Sequence, residues 1–201
     1  MGKELEYKLA VPDTRTLEAI LFDQEIAAVR QGNYGLFEMA TIYYDTVDRA
    51  LSAQKWTLRL RQENYDLIAT VKTPAGEDHA RGEWSCPAQS IEEAIAQLVV
   101  QGAPEELIRL TQNGVRPLCL ARFSRRAATV KFADGTVCEL AGDVGAVCAG
   151  QKESPICEIE VELKEGDSET AKAFAQELCE RFCLKEEPLS KFQRAARLLE
   201  E

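Results

Sequence analysis

The sequence predicts an α+β protein in which antiparallel strands turn a charged face inward and helices cover the apolar backs. Three observations predict it. Glu4-Leu5-Glu6-Tyr7-Lys8 sets two acids and a base at every second position; in a strand these share one face, and Leu5, Tyr7 and Leu9 share the other. The stretch ICEIEVEL, residues 156–163, repeats the pattern with Glu158, Glu160 and Glu162. Between these two segments, Arg59, Arg61, Lys72 and Arg81 stand on other strands of the same alternating kind.

Each element has its own signal. A strand over about 3–11 ends at Pro12-Asp13, a turn and helix cap, and Leu17, Ile20 and Leu21 mark a short helix over 14–23. QGNYG (31–35) reads as a loop, and from there to about residue 86 the period is two. YYDT, LRLR, TVK and RGEW fall on successive strands. Ser90-Ile-Glu-Glu93 is a capping box before a helix carrying Ile95, Leu98 and Val99. Pro104 opens another helix that stops near Asn113-Gly114. Strands then return, with Asp134-Gly135 as a hairpin turn. A helix from about Ser168 to Cys183 precedes the segment PLSKFQRAARLLEE.

Composition limits the function classes. The 201 residues suit one domain, with or without an appended lobe. A net charge of −10 argues against a broad nucleic-acid surface. No apolar run approaches the roughly 20 residues that span a bilayer. Seven scattered cysteines without a Cys-x-x-Cys, and a lone His79 far from them, fit reduced thiols in a cytoplasmic protein better than a zinc site.

The charged faces carry the chemistry. Acids at every second position repel one another unless a cation sits among them. Carboxylates suit hard cations such as Mg²⁺ or Mn²⁺, and arginine forks and lysines suit phosphate oxygens. If the sheet curls so that these faces meet, they describe a site for a metal-bound polyphosphate.

At this point the residues resemble a known family. Glu4-Leu5-Glu6-Tyr7-Lys8 is similar to the ExExK signature of the CYTH superfamily, the triphosphate tunnel metalloenzymes. YYDT, LRLR, TVK and RGEW, then Arg126, Glu139, Asp143-Val-Gly145, ICEIEVELKEG and Ser190-Lys191, follow that family's order over nearly the whole chain. The second half resembles the bacterial inorganic triphosphatase branch, without a counterpart of its accessory helical domain.

The resemblance implies one CYTH domain over 1–201, an eight-stranded antiparallel β-barrel tunnel with helices packed outside. It implies that Glu4, Glu6, Glu158 and Glu160 bind Mg²⁺ or Mn²⁺, with Glu4, Glu6, Lys8 and Glu160 closest to catalysis. Lys8, Arg59, Arg61, Lys72, Arg126 and Lys191 would hold the phosphates, with Arg194 assisting. Arg81, Arg122 and Glu162 would support them, and Glu83, Glu139 and Asp143 would orient the basic residues or help bind metal. Some members carry a lysine two residues before an arginine in the second-half strand, and Leu120-Ala121-Arg122 supplies none.

The expected reaction is metal-dependent hydrolysis of inorganic triphosphate, which needs charge neutralisation and in-line water but little covalent help. Adenylate cyclisation, hydrolysis of thiamine or nucleoside triphosphates, and non-catalytic polyphosphate binding stay open. The expected partner is a small-molecule triphosphate or polyphosphate, with no nucleic acid and no membrane, and a homodimer is left open.

Overall fold

In the computed structural model, residues 5–75 and 81–200 are described. Nine strands form one antiparallel sheet: β1 Leu5–Ala10, β2 Arg30–Asp45, β3 Thr57–Glu63, β4 Asp66–Ala75, β5 Arg81–Pro87, β6 Arg116–Lys131, β7 Val137–Ala149, β8 Lys152–Glu165 and β9 Lys185–Glu186. Their order across the sheet is β5-β4-β3-β2-β6-β7-β8-β1-β9. The helices are α1 Thr14–Leu21, α2 Gln24–Val29, α3 Ala50–Ala53, α4 Ile91–Val100, α5 Glu106–Thr111, α6 Ser168–Phe182 and α7 Lys191–Arg197.

Local chemistry accounts for the element ends. Asp13 accepts from Thr16 N at 2.7 Å and starts α1. Ser90 accepts from Glu93 N at 3.3 Å and starts α4. Ser190 and Gln193 form a reciprocal capping box on α7. Gly135 turns the β6–β7 hairpin at φ 92°, a conformation open to glycine at no steric cost.

The convex side of the sheet is apolar and helix-covered. Leu9, Val130, Leu140, Ile159 and Val161 pack under α1, α2 and α6. Leu58, Ala69, Val71 and Cys86 pack under α3, α4 and α5, with Trp56 and Trp84 partly buried at the margin. On the concave side, Met39, Tyr43, Ala121, Phe123, Val147 and Ile156 receive Phe192, Ala195 and Leu198 of α7.

The expected antiparallel sheet with helices outside is therefore the observed one, with differences in detail. A ninth, two-residue strand lies beside β1. Among the described residues, no pairing joins β5 to the β1 edge, so the sheet is curled rather than sealed by hydrogen bonds. The α7 helix is the exception to outside packing. QGNYG, read as a loop, lies within the 16-residue β2, and a register irregularity between Gln31 and Gly35 absorbs its extra residues. Among the described residues, no helix is long and apolar enough to cross a membrane.

Candidate metal and anion site

Register puts the charges together. Lys8 lies opposite Glu160, and Glu6 opposite Glu162, on β1 and β8. Asp143 of β7 lies opposite Glu158, and Glu139 opposite Glu162. Lys72 of β4 lies opposite both Thr57 of β3 and Glu83 of β5. Curling brings the β3–β4 wall round to face the β1–β8 wall. One cavity of about 290 Å³ is lined by Glu6, Lys8, Arg59, Arg61, Lys72, Arg125, Glu160, Glu162 and Lys191, with Tyr43 and Phe192 among its apolar lining.

The acid wall converges on one point. Lys191 Nζ lies 2.7 Å from Asp143 Oδ2 and 2.7 Å from Glu160 Oε1, and it also donates to Glu158 Oε1. Arg125 donates Nε to Asp143 Oδ1 at 2.8 Å and Nη2 to Asp143 Oδ2 at 2.7 Å, and it reaches Glu160 Oε2. Arg194 donates to Glu158 Oε2. Buried carboxylates need such partners, since a charge taken out of water is costly unless paired.

The electrostatics follow from this crowding. Burial, then repulsion from Glu160, pushes the Glu6 carboxyl up to about 7. Burial also raises Glu158, against the pull of Lys191. Glu160 goes the other way: burial opposes its ionisation, but Lys191 and Arg125 hold it well below the usual carboxylate range.

The opposite wall is cationic. Arg59 Nη2 lies 3.8 Å from Glu83, and Lys72 Nζ lies 3.1 Å from it. Arg61 donates Nε to Thr41 Oγ1 at 3.2 Å and makes no ion pair among the described residues. Burial, then the neighbouring Arg59, brings its guanidinium down to about 10. Among the described residues, buried Arg59 Nε has no hydrogen-bond partner.

A divalent cation fits the acid wall on donor chemistry. Asp143, Glu158 and Glu160 each offer an oxygen, and the three oxygens lie within 4.8 Å of one another. Hard carboxylate oxygens around a common point are the donors Mg²⁺ or Mn²⁺ prefers. The resemblance gave Asp143 as an acid that orients the basic residues or helps bind metal, and the structure sets its oxygen beside those of Glu158 and Glu160.

Other expected residues divide. Glu6, Lys8, Arg59, Arg61, Lys72, Glu83, Glu139, Asp143, Glu158, Glu160, Glu162 and Lys191 share the concave side. Glu162 lies 2.7 Å from Lys164. Glu4 and His79 lie outside the described residues, and only the backbone of Arg81 is described, in β5. Arg126 and Arg122 do not join the site. Arg126 faces outward, 3.7 Å from Glu18 and 6.0 Å from the Phe22 ring centroid. Arg122 is exposed on the convex side. The parity of β6 puts Arg125 inside instead, between Phe123 and Ala127. The signal was present as Arg125-Arg126, two arginines of opposite parity. Phe123 stands two residues before Arg125, so that position still holds no lysine.

A curled antiparallel sheet with an acid wall facing a guanidinium wall is what the resemblance to CYTH proteins implies. The CYTH domain family model matches residues 2–196, and the chain belongs to that family. An inorganic triphosphatase of Haemophilus influenzae is 32% identical over 181 residues, 89% of this chain and 50% of that protein. The chain thus spans about half the length of this curated relative. Among solved structures, a putative adenylyl cyclase from Hippeastrum, described as having a dominant triphosphatase activity, matches with a TM-score of 0.58 at 16% identity, covering 97% of this chain and 95% of that one. A protein from Pyrococcus horikoshii matches with a TM-score of 0.53 at 19% identity, covering 98% of each. At these identities the structural likeness is one of fold.

Proposed function

We propose that the chain is a divalent-metal-dependent hydrolase that cleaves inorganic triphosphate to pyrophosphate and phosphate within the curled sheet. The observation that carries this reading is the facing of two walls across one small cavity. Arg59, Arg61 and Lys72 present cations where an anion fits, and Asp143, Glu158 and Glu160 present oxygens where a cation fits. The 32% identity to an inorganic triphosphatase supports the choice of substrate.

Each residue has a role on this reading. Arg61, already short of a counter-charge, takes a phosphate oxygen, and Arg59 and Lys72 share the load with Lys8. Glu6, brought near neutrality by burial, is the carboxylate suited to take a proton from water, while Glu160, held ionised by Lys191 and Arg125, keeps its charge for the cation. Arg125 and Arg194 hold the acid oxygens in place. When bound, Mg²⁺ or Mn²⁺ supplies a Lewis acid that polarises phosphate oxygens. Seven free cysteines suit a reducing compartment, so a cytoplasmic location belongs to the same reading.

The second reading, an organic triphosphate, has one observation in its favour. A cavity of about 760 Å³ adjoins the first through Thr57, Ser190 and Phe192 and is lined by Trp56 and Leu118. Phosphate release from tripolyphosphate and from ATP, each with Mg²⁺ and with Mn²⁺, separates the two. The expected result is metal-dependent release that favours tripolyphosphate and falls at least about 100-fold in Glu160→Gln. Preference for ATP would support the organic reading, and cyclic product or no release would overturn both.

A further inference from the structure

We infer that Lys191 occupies the acidic trio as an internal stand-in for the divalent cation, so that metal and anion binding are coupled through its displacement. The inference rests on the metal reading above and adds a regulatory property to it.

The geometry makes the two occupants exclusive. The Lys191 ammonium donates to one oxygen each of Glu158 and Glu160 and pairs with one oxygen of Asp143 at 2.7 Å, so all three carboxylates converge on it. These are the carboxylates whose oxygens cluster within 4.8 Å. A divalent cation held by these carboxylates would take the place of the ammonium among them. The remaining oxygens stay fixed, because Arg125 holds Asp143 Oδ1 and Glu160 Oε2 and Arg194 holds Glu158 Oε2. The trio is thus shaped by two arginines whether or not Lys191 is in it.

Lys191 has somewhere to go. It is the first residue of α7, whose backbone is anchored by the Ser190 cap and by Phe192, Ala195 and Leu198. Only its four-carbon stem needs to move. Its side chain lines the cavity that holds Arg59, Arg61 and Lys72, so an ammonium leaving the acids enters the anion's side. A cation at the trio therefore adds a positive group to the phosphate wall, and an anion at that wall draws Lys191 off the acids. By linkage each ligand raises the affinity for the other by the same factor.

The test measures binding without turnover. Mn²⁺ binding to the metal-free protein is followed by the loss of the free-ion paramagnetic resonance signal, with no phosphate present, for wild type, Lys191→Met and Lys191→Arg. Circular dichroism melting establishes that each variant is folded. Lys191→Met is expected to bind Mn²⁺ at least tenfold more tightly than wild type, with Lys191→Arg near wild type. Adding sulfate as a non-hydrolysable anion is expected to tighten Mn²⁺ binding to wild type by a larger factor than to Lys191→Met, which keeps only the direct attraction between the two ions; equal factors would overturn the coupling. Equal or weaker Mn²⁺ binding by folded Lys191→Met would overturn the coupling and leave the metal reading standing. Absence of Mn²⁺ binding in all three would overturn both.

Discussion

At the scale of single residues, adjacent arginines on β6 have opposite fates. Arg125 neutralises buried Asp143 and Glu160, while Arg126 meets the largely exposed Glu18. Removing one partner of a buried pair strands a charge and costs about 3–5 kcal/mol, whereas a surface change stays within about 0.5 kcal/mol. Urea unfolding of Arg125→Ala and Arg126→Ala should differ by that margin, and only Arg125→Ala should lose hydrolysis. Equal effects would mean that β6 sits in the other register. Glu6 gives a pH signature. Its ordinary value of 4.5 rises to about 7 in the fold, so between those pH values the folded chain keeps a proton that the unfolded chain releases. Stability therefore falls as pH rises through that window and stays lower above it. Glu6→Gln should flatten the fall and gain up to about 3 kcal/mol at pH 8 in metal-free protein. An unchanged pH profile of stability would place Glu6 in water.

At the scale of elements, β6 and β7 carry the site through close backbone approach. A Cβ on Gly145 would lie 2.1 Å from the Arg122 carbonyl and 2.5 Å from Phe123 Cα, and backbone cannot yield as a side-chain tip can. Gly142 would meet only the ends of Leu21 and Leu17, at 2.9 and 3.1 Å. Gly145→Ala should therefore cost about 2–4 kcal/mol and weaken Mn²⁺ binding, because the Arg125–Asp143 pair lies two residues along the ladder from the Gly145–Phe123 pair. Gly142→Ala should be milder on both counts by denaturation and titration. These strands also show where the sequence stops being legible. On β1, β8 and the LRLR run of β3, acids or bases alternate with apolar residues, so the inner face could be read directly. On β6, Arg122, Arg125 and Arg126 occupy both parities among small alanines, and nothing local says which faces in. Gly32 and Asn33 read as a loop because their local preference is for turns, and they keep it: they sit in the register irregularity between Gln31 and Gly35, while β2–β6 pairing on both sides carries the strand through.

At the scale of the whole molecule, the site exists only because the sheet curls. Arg59 and Glu160 are distant in sequence, and alternation tells which residues share a face without telling which face becomes concave. The apolar periodicity of SKFQRAARLL likewise predicts a packed helix but not that it packs inside the curl, where it delivers Lys191 and Arg194. The fold class was legible, and the meeting of the walls was a physical inference from like charges that would otherwise repel. That dependence on the assembled fold has a thermodynamic consequence. Ligands held by β1, β3, β4, β6, β7, β8 and α7 together bind the folded chain and not the unfolded one. At 100 times its dissociation constant, such a ligand stabilises by about 2.7 kcal/mol, which for a chain of this size raises the melting temperature by about 5–11 °C. Mn²⁺ should produce that shift in the wild-type protein. In Glu158→Gln, which loses one of the three converging oxygens, the shift should shrink towards zero when each protein is compared with its own metal-free melt. A full shift in Glu158→Gln would move the metal off this trio, and with it the opposition of cation and anion walls on which the hydrolysis reading depends.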